Sequence, residues 1–235
     1  MSRGTQNTLV LLVGLSALLM AIKGTYLHFV KPSLLPWLIA AAVVLIALAV
    51  ATIVRDLRDA PSSDEHGHRH RPWLVWLLLV PIALTTFVVP PPLGALGAAP
   101  EAVAVTAPPK RAFPPLPAGR APTVSIPDVV MRAAADSTNS LDRRLITLAG
   151  FTVKHSEGTD LGRVVIVCCA ADAQLARIHL SGAAAAEAAG YPEDTWLQVE
   201  GTVVAGTSTV STNFVPTIAV SRVTRIDKPA NTYAY

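Results

Sequence analysis

Apolar positions follow two regimes along this chain. Up to about residue 93 they form long runs with almost no charge. Beyond residue 125 they come in short blocks separated by Gly, Pro, Asn and Asp. Three of the early runs approach the roughly 20 residues that cross a bilayer as a helix. They span residues 8–30, 33–54 and 73–93. Lys23 lies inside the first run, within two turns of its end, where a long side chain can snorkel to the interface. Trp37, Trp73 and Trp76 stand near run ends, as in an interfacial aromatic belt. Pro81 predicts a kink or tilt in the third run. No small-x-small cleavage site follows the first run, so a retained helix is expected rather than a signal peptide.

From about residue 94 to 124 the composition turns to Pro and Ala, with Pro108-Pro109 and Pro114-Pro115. Such a stretch reads as an extended spacer. Residues 125–235 then suffice for one small domain. Residues 126–135 predict a helix with Pro127 in its first turn. Residues 144–153, 163–168 and 175–180 predict strands from their Val, Ile, Leu and Thr content. An Ala-rich helix is expected over 182–189, then strands over 195–204 and 217–226. Three strands, a helix and two strands is the order of a five-stranded barrel of the OB type. An irregular β-sandwich is the alternative. The expected fold class is therefore a membrane α plus β protein: three transmembrane helices, a proline-rich linker and a C-terminal OB-like β-barrel domain.

Composition agrees with this division. Only 15% of the residues are charged and 51% are hydrophobic, against about 25% charged in a typical soluble domain. The net charge of +3 conceals two signs. Residues 125–235 hold nine Lys/Arg and eleven Asp/Glu, whereas residues 1–124 hold ten and five. The basic excess thus belongs to the membrane half and is no footprint of a nucleic-acid binder. With three spans, one side carries Arg3, Arg55, Arg58, Arg69 and Arg71, and the other carries Lys23 and Lys31. The positive-inside rule places the five-charge side, with the N-terminus, in the cytoplasm. The C-terminal domain is then extracytoplasmic.

Two segments could carry metal chemistry. Cys168-Cys169-Ala170-Ala171-Asp172 ends a β run and contains both cysteines of the chain. Adjacent strand residues point to opposite faces, so the two thiols join one site only through a turn or bulge. Metal binding, a redox switch and an intermolecular bridge remain open, beside a plain structural role. Upstream of the third run, His66, His68 and His70 alternate beside Asp64 and Glu65, and imidazole suits Zn, Ni and Cu. His155 and His179 stand alone in the sequence, and Glu157 and Asp160 fall in a turn-like segment. No phosphate loop, HExxH, GxSxG or SxxK is present, so an enzyme is not expected.

The chain resembles the bacterial family of two-component membrane permease subunits, which have N-terminal transmembrane helices and a C-terminal domain with a CCxxDA motif. The resemblance rests on Tyr26 with Val30-Lys31-Pro32, on the His-rich loop, and on Val164-Val165-Ile166-Val167-Cys168-Cys169-Ala170-Ala171-Asp172-Ala173. Trp196-Leu197-Gln198-Val199-Glu200-Gly201 and the closing Pro229 and Tyr233 extend it over nearly the whole chain. It implies an accessory subunit beside a polytopic membrane permease, since three helices make a poor conduit alone. Some members of that family are linked to metal homeostasis, especially zinc. Zinc is thus the implied ion, with Cys168, Cys169, Asp172, His66, His68 and His70 as candidate ligands. The lipid bilayer is the other expected partner. A membrane-anchored binding or sensor module for an envelope ligand, or a thiol-redox protein, are the alternatives.

Overall fold

The computed structural model describes residues 3–58, 92–94, 108–156 and 158–235. Residues 73–91 of the third apolar run, the loop with His66, His68 and His70, and residues 95–107 of the proline-rich stretch lie outside the described residues. The chain divides into two compact units, Met1–Pro91 and Pro92–Tyr235.

The first unit holds a helical hairpin, α1 (Arg3–Lys23) and α2 (Leu35–Arg58). Helix α1 stops short of the expected residue 30 because Gly24 takes a left-handed conformation, φ 75°, a common helix stop. Two short 3-10 turns, Thr25–His28 and Pro32–Leu34, complete the connection. Lys31 is extended between them, as the residue before a proline prefers. The helices meet through small residues. Ala42 and Ala49 are buried, and a Cβ on Gly14 would stand 2.9 Å from Ile46 Cγ1. Small residues let helix backbones approach where lipid offers no hydrophobic drive. The outward surface is apolar, with Val13, Trp37, Val43 and Leu48 exposed. Among the described residues, two helical segments are long and apolar enough to cross a membrane, Gln6–Lys23 and Pro32–Arg55.

The second unit opens with α3 (Ile126–Ala135), which Ser125 caps by accepting the Asp128 N–H, with Pro127 in the first turn. It continues with β1 (Leu145–His155), β2 (Gly158–Val165), β3 (Gln174–Ser181), α4 (Ala185–Gly190), β4 (Trp196–Val204), β5 (Thr217–Arg225) and the short β6 (Tyr233–Ala234). The strands form a six-stranded sheet in the order β1-β4-β5-β3-β2-β6, with β1 also paired to β2. Pairings β3–β5 and β2–β6 are parallel and the rest antiparallel. Strand β1 serves two partners. Its first part, Leu145 to Phe151, pairs with β4, and its last part, Phe151 to His155, pairs with β2. Gly150 lies at the changeover, where a Cβ would come within 2.5 Å of the Gly162 carbonyl oxygen and 2.7 Å of Ile126 Cδ1. Only a residue without a side chain lets the strand bend there against both neighbours.

The core joins the buried face of α3 (Ile126, Val129) to Ile146, Leu148, Leu161, Ile178, Leu197, Val199 and Ile218 of the strands. A smaller cluster of Phe151, Val164, Ile166, Ala173, Trp196 and Tyr233 forms beside β6. In it Phe151 and Trp196 meet edge to face at 5.7 Å. Residues 108–124 of the proline-rich stretch lie along the domain. The Arg111 N–H donates to the Ala135 carbonyl, and the Ser137 N–H to that of Arg111. Buried Arg132 donates to Asp128, the Pro114 carbonyl and Ser140 Oγ.

Candidate functional site

Strand β2 ends at Val165, and its continuation is held by an Ile166 N–H to Ala234 carbonyl bond of 3.1 Å. The chain then turns into a 3-10 segment, Ala170–Asp172. Asp172 folds this turn. Its Oδ1 accepts the Val167 N–H at 2.8 Å, and its Oδ2 accepts those of Cys168 at 2.8 Å and Cys169 at 3.3 Å. Gathering three amides on one carboxylate reverses the backbone and removes the strand alternation that would separate the thiols. The two Sγ atoms lie 3.6 Å apart, both as free thiols, with Cys168 exposed and Cys169 half-buried.

The electrostatics follow from these contacts. Hydrogen bonding from the Cys168 thiol, then from the backbone amides of Cys168 and Val167, lowers the Asp172 carboxyl to about 2. Hydrogen bonding to Asp172 and to Cys169 pushes the Cys168 thiol up to about 11. A thiolate is the nucleophile and the metal ligand, so Cys168 stays protonated at neutral pH until something displaces its proton. Zinc–thiolate bonds near 2.3 Å at a tetrahedral centre put two sulfurs ~3.8 Å apart. The observed separation is close to that span. Cys168, Cys169 and Asp172 together offer metal-ligating atoms within 4.8 Å of one another.

A second cluster was not expected. Asp160, read from sequence as part of a turn, is instead a strand residue of β2 and only 2% exposed. The hairpin is tight enough that β2 begins at Gly158, so this polar residue falls inside the ladder. His155 ends β1, and His179 is the direct cross-strand partner of Asp160 on β3. Asp160 Oδ1 lies 2.8 Å from His179 Nδ1 and 3.6 Å from His155 Nε2. Arg177 Nη1 lies 3.3 Å from Oδ2. His155 and His179, 24 positions apart, meet only through the β1–β2–β3 register. Alternation could have flagged them: with Asp160 paired to both Val153 and His179, residues 155, 160, 177 and 179 share one face.

Residues 129–235 match the DUF1980 C-terminal domain. The match is consistent with a DUF1980 family member and contains both clusters. It begins within α3 and takes in every strand of the sheet. No curated protein and no solved structure matches the chain. The DUF1980 match says nothing of a permease.

Proposed function

We propose that the protein is a membrane-anchored accessory subunit of a permease complex, whose DUF1980 C-terminal domain presents a divalent metal ion outside the cytoplasm. In this reading α1, α2 and the third apolar run span the bilayer. The strand circuit β1–β2–β3–β5–β4, returning to β1, supports reading the domain as an OB-like barrel. A polytopic permease supplies the pathway, and the subunit is not an enzyme.

The observation that carries the reading is the Asp172 turn, which brings Cys168 Sγ and Cys169 Sγ to 3.6 Å in an exposed position. Two adjacent thiols and a carboxylate form a donor set for zinc or a softer ion. Because the turn is exposed, an ion can be loaded there and handed on. The raised Cys168 thiol speaks against a nucleophilic thiol, which needs a lowered pKa; an ion binding there displaces the thiol proton. The apolar outward surface of the helical hairpin supports residence in a membrane.

The test is purification of the full chain from its membrane in mild detergent, followed by metal analysis. The expected result is a polytopic membrane protein in the same complex, and a zinc content lower by one equivalent in a Cys168→Ser/Cys169→Ser variant. Recovery of the chain alone, with the same metal content in wild type and variant, would overturn the reading.

A further inference from the structure

The cluster at the β1–β2 hairpin cannot share an ion with the thiol turn. Asp160 and Val165 stand at opposite ends of a straight run of β2, and five residues of extended strand cover about 16 Å. The hairpin cluster therefore stands as a separate arrangement with its own chemistry.

Its central group is the buried carboxylate of Asp160. Arg177 already supplies an ion-pair partner at Oδ2, which fixes the plane of the carboxylate and turns Oδ1 toward two imidazoles. Those rings converge on that one oxygen from different strands, at 2.8 Å for His179 Nδ1 and 3.6 Å for His155 Nε2. Oxygen and nitrogen ligands about 2.0–2.1 Å from zinc in tetrahedral geometry lie ~3.4 Å from one another. The 3.6 Å contact is close to that value, the 2.8 Å contact is a hydrogen bond whose proton an ion would replace, and the three ligand atoms all lie within 4.8 Å of one another. His155 is exposed and His179 half-buried, and the cluster opens into a cleft of about 410 Å³ lined also by Ser211, Thr212 and Asn213. Three protein ligands beside an open position is the arrangement of a metal site that keeps room for water or a small ligand.

The backbone is also shaped around one imidazole. Gly158 has φ 150°, and a Cβ there would lie 3.0 Å from His179 Cε1. The hairpin thus leaves the space His179 needs, at a residue whose conformation L side chains rarely adopt.

We propose that His155, Asp160 and His179 form a second metal site, for a divalent transition ion of the zinc class, with one coordination position facing the cleft. Imidazole with carboxylate selects borderline ions, whereas paired thiolates select softer ones. One chain then carries two sites of different softness. The proposal does not depend on the thiol turn binding metal.

The experiment titrates zinc(II) and cobalt(II) into the full chain in detergent, in a Cys168→Ser/Cys169→Ser background. The expected result is binding that survives loss of the thiols, with a cobalt spectrum free of thiolate-to-metal charge transfer. Adding His155→Ala should remove one equivalent. Asp160→Asn should weaken that equivalent by more than about 100-fold, since loss of an outer-shell partner alone costs 10–100-fold. His155→Ala changes an exposed strand-end residue and should leave the thermal unfolding profile intact, which separates lost binding from lost folding. A thiol-free chain that binds no zinc, or one whose stoichiometry is unchanged by His155→Ala, would overturn the proposal. Failure of the thiol-turn reading has a different signature: wild type and thiol-free chain would bind the same number of ions.

Discussion

Gly158 and His179 are matched across the hairpin: the glycine's missing Cβ would have stood 3.0 Å from the imidazole's Cε1. Both the space and the backbone conformation at position 158 depend on glycine. Gly158→Ala is expected to destabilise the domain by about 1–2 kcal/mol, from a strained φ and a close contact. It is also expected to shift the His179 ring resonances more than those of histidines elsewhere. Chemical unfolding and NMR of the full chain check the two parts separately. A wild-type His179 environment in the alanine variant would show that the match is incidental.

Asp136 should dominate the acid limb of stability. It is 3% exposed and follows α3. Burial by itself would raise its pKa. Four hydrogen bonds outweigh that: Ser140 Oγ at 2.5 Å, Thr138 Oγ1 at 2.7 Å, and the amides of Thr138 at 2.8 Å and Ser140 at 2.9 Å. The carboxyl is therefore held well below the usual range. A depressed folded-state pKa contributes stability that is complete above the ordinary carboxyl value near 3.9 and is lost as pH falls below it. Asp136→Asn should cost about 2–4 kcal/mol at pH 7, because an amide nitrogen replaces an acceptor facing donors. Urea unfolding at pH 7 and pH 3 should show the gap between wild type and variant narrowing in acid. An equal gap at both values would rule out the charged carboxylate as its source.

These two residues show what a linear reading can reach. The helix at 126–135, the first five strands and the helix between the third and fourth were legible, because capping, proline placement and alternating apolar blocks are local signals; the two-residue β6 was not. The register was not. Asp160 reads as turn because Ser156, Glu157 and Gly158 just precede it, and only the ladder makes it a buried strand position. His155 and His179 look solitary for the same reason. The proline-rich stretch reads as a free spacer by composition, yet residues 108–124 follow the domain because Arg132 and Ala135 offer partners that no local pattern announces. At the Cys pair the need for a turn is legible from alternation. That Asp172 builds the turn depends on its reaching back to three amides.

Asp172 controls thiol chemistry as well as shape. Its hydrogen bond with Cys168 is the leading cause of the raised thiol pKa. Asp172→Ala should bring that thiol back toward its ordinary value and open the turn. The thiolate fraction at pH 8 would then rise by up to about 100-fold, since each pKa unit is tenfold. Alkylation at pH 8 should accelerate accordingly, while zinc retention at the turn falls. Rates equal to wild type would mean that Asp172 neither holds the proton nor shapes the turn.

The thiols also report on topology, since Cys168 and Cys169 are the chain's only cysteines. Cys168 is exposed, so a membrane-impermeant maleimide can reach it on whichever side the DUF1980 C-terminal domain lies. If the positive-inside rule holds over three spans, that side is outside the cytoplasm. Intact cells or right-side-out vesicles should then be labelled without permeabilisation. Because a thiol raised to about 11 reacts slowly, the labelling is run at pH 8 with Asp172→Ala in parallel, which should label faster from the same side. Labelling that appears only after the membrane is opened, in both forms, would place the domain in the cytoplasm. It would also reverse the direction in which any ion at the turn could be handed to a permease.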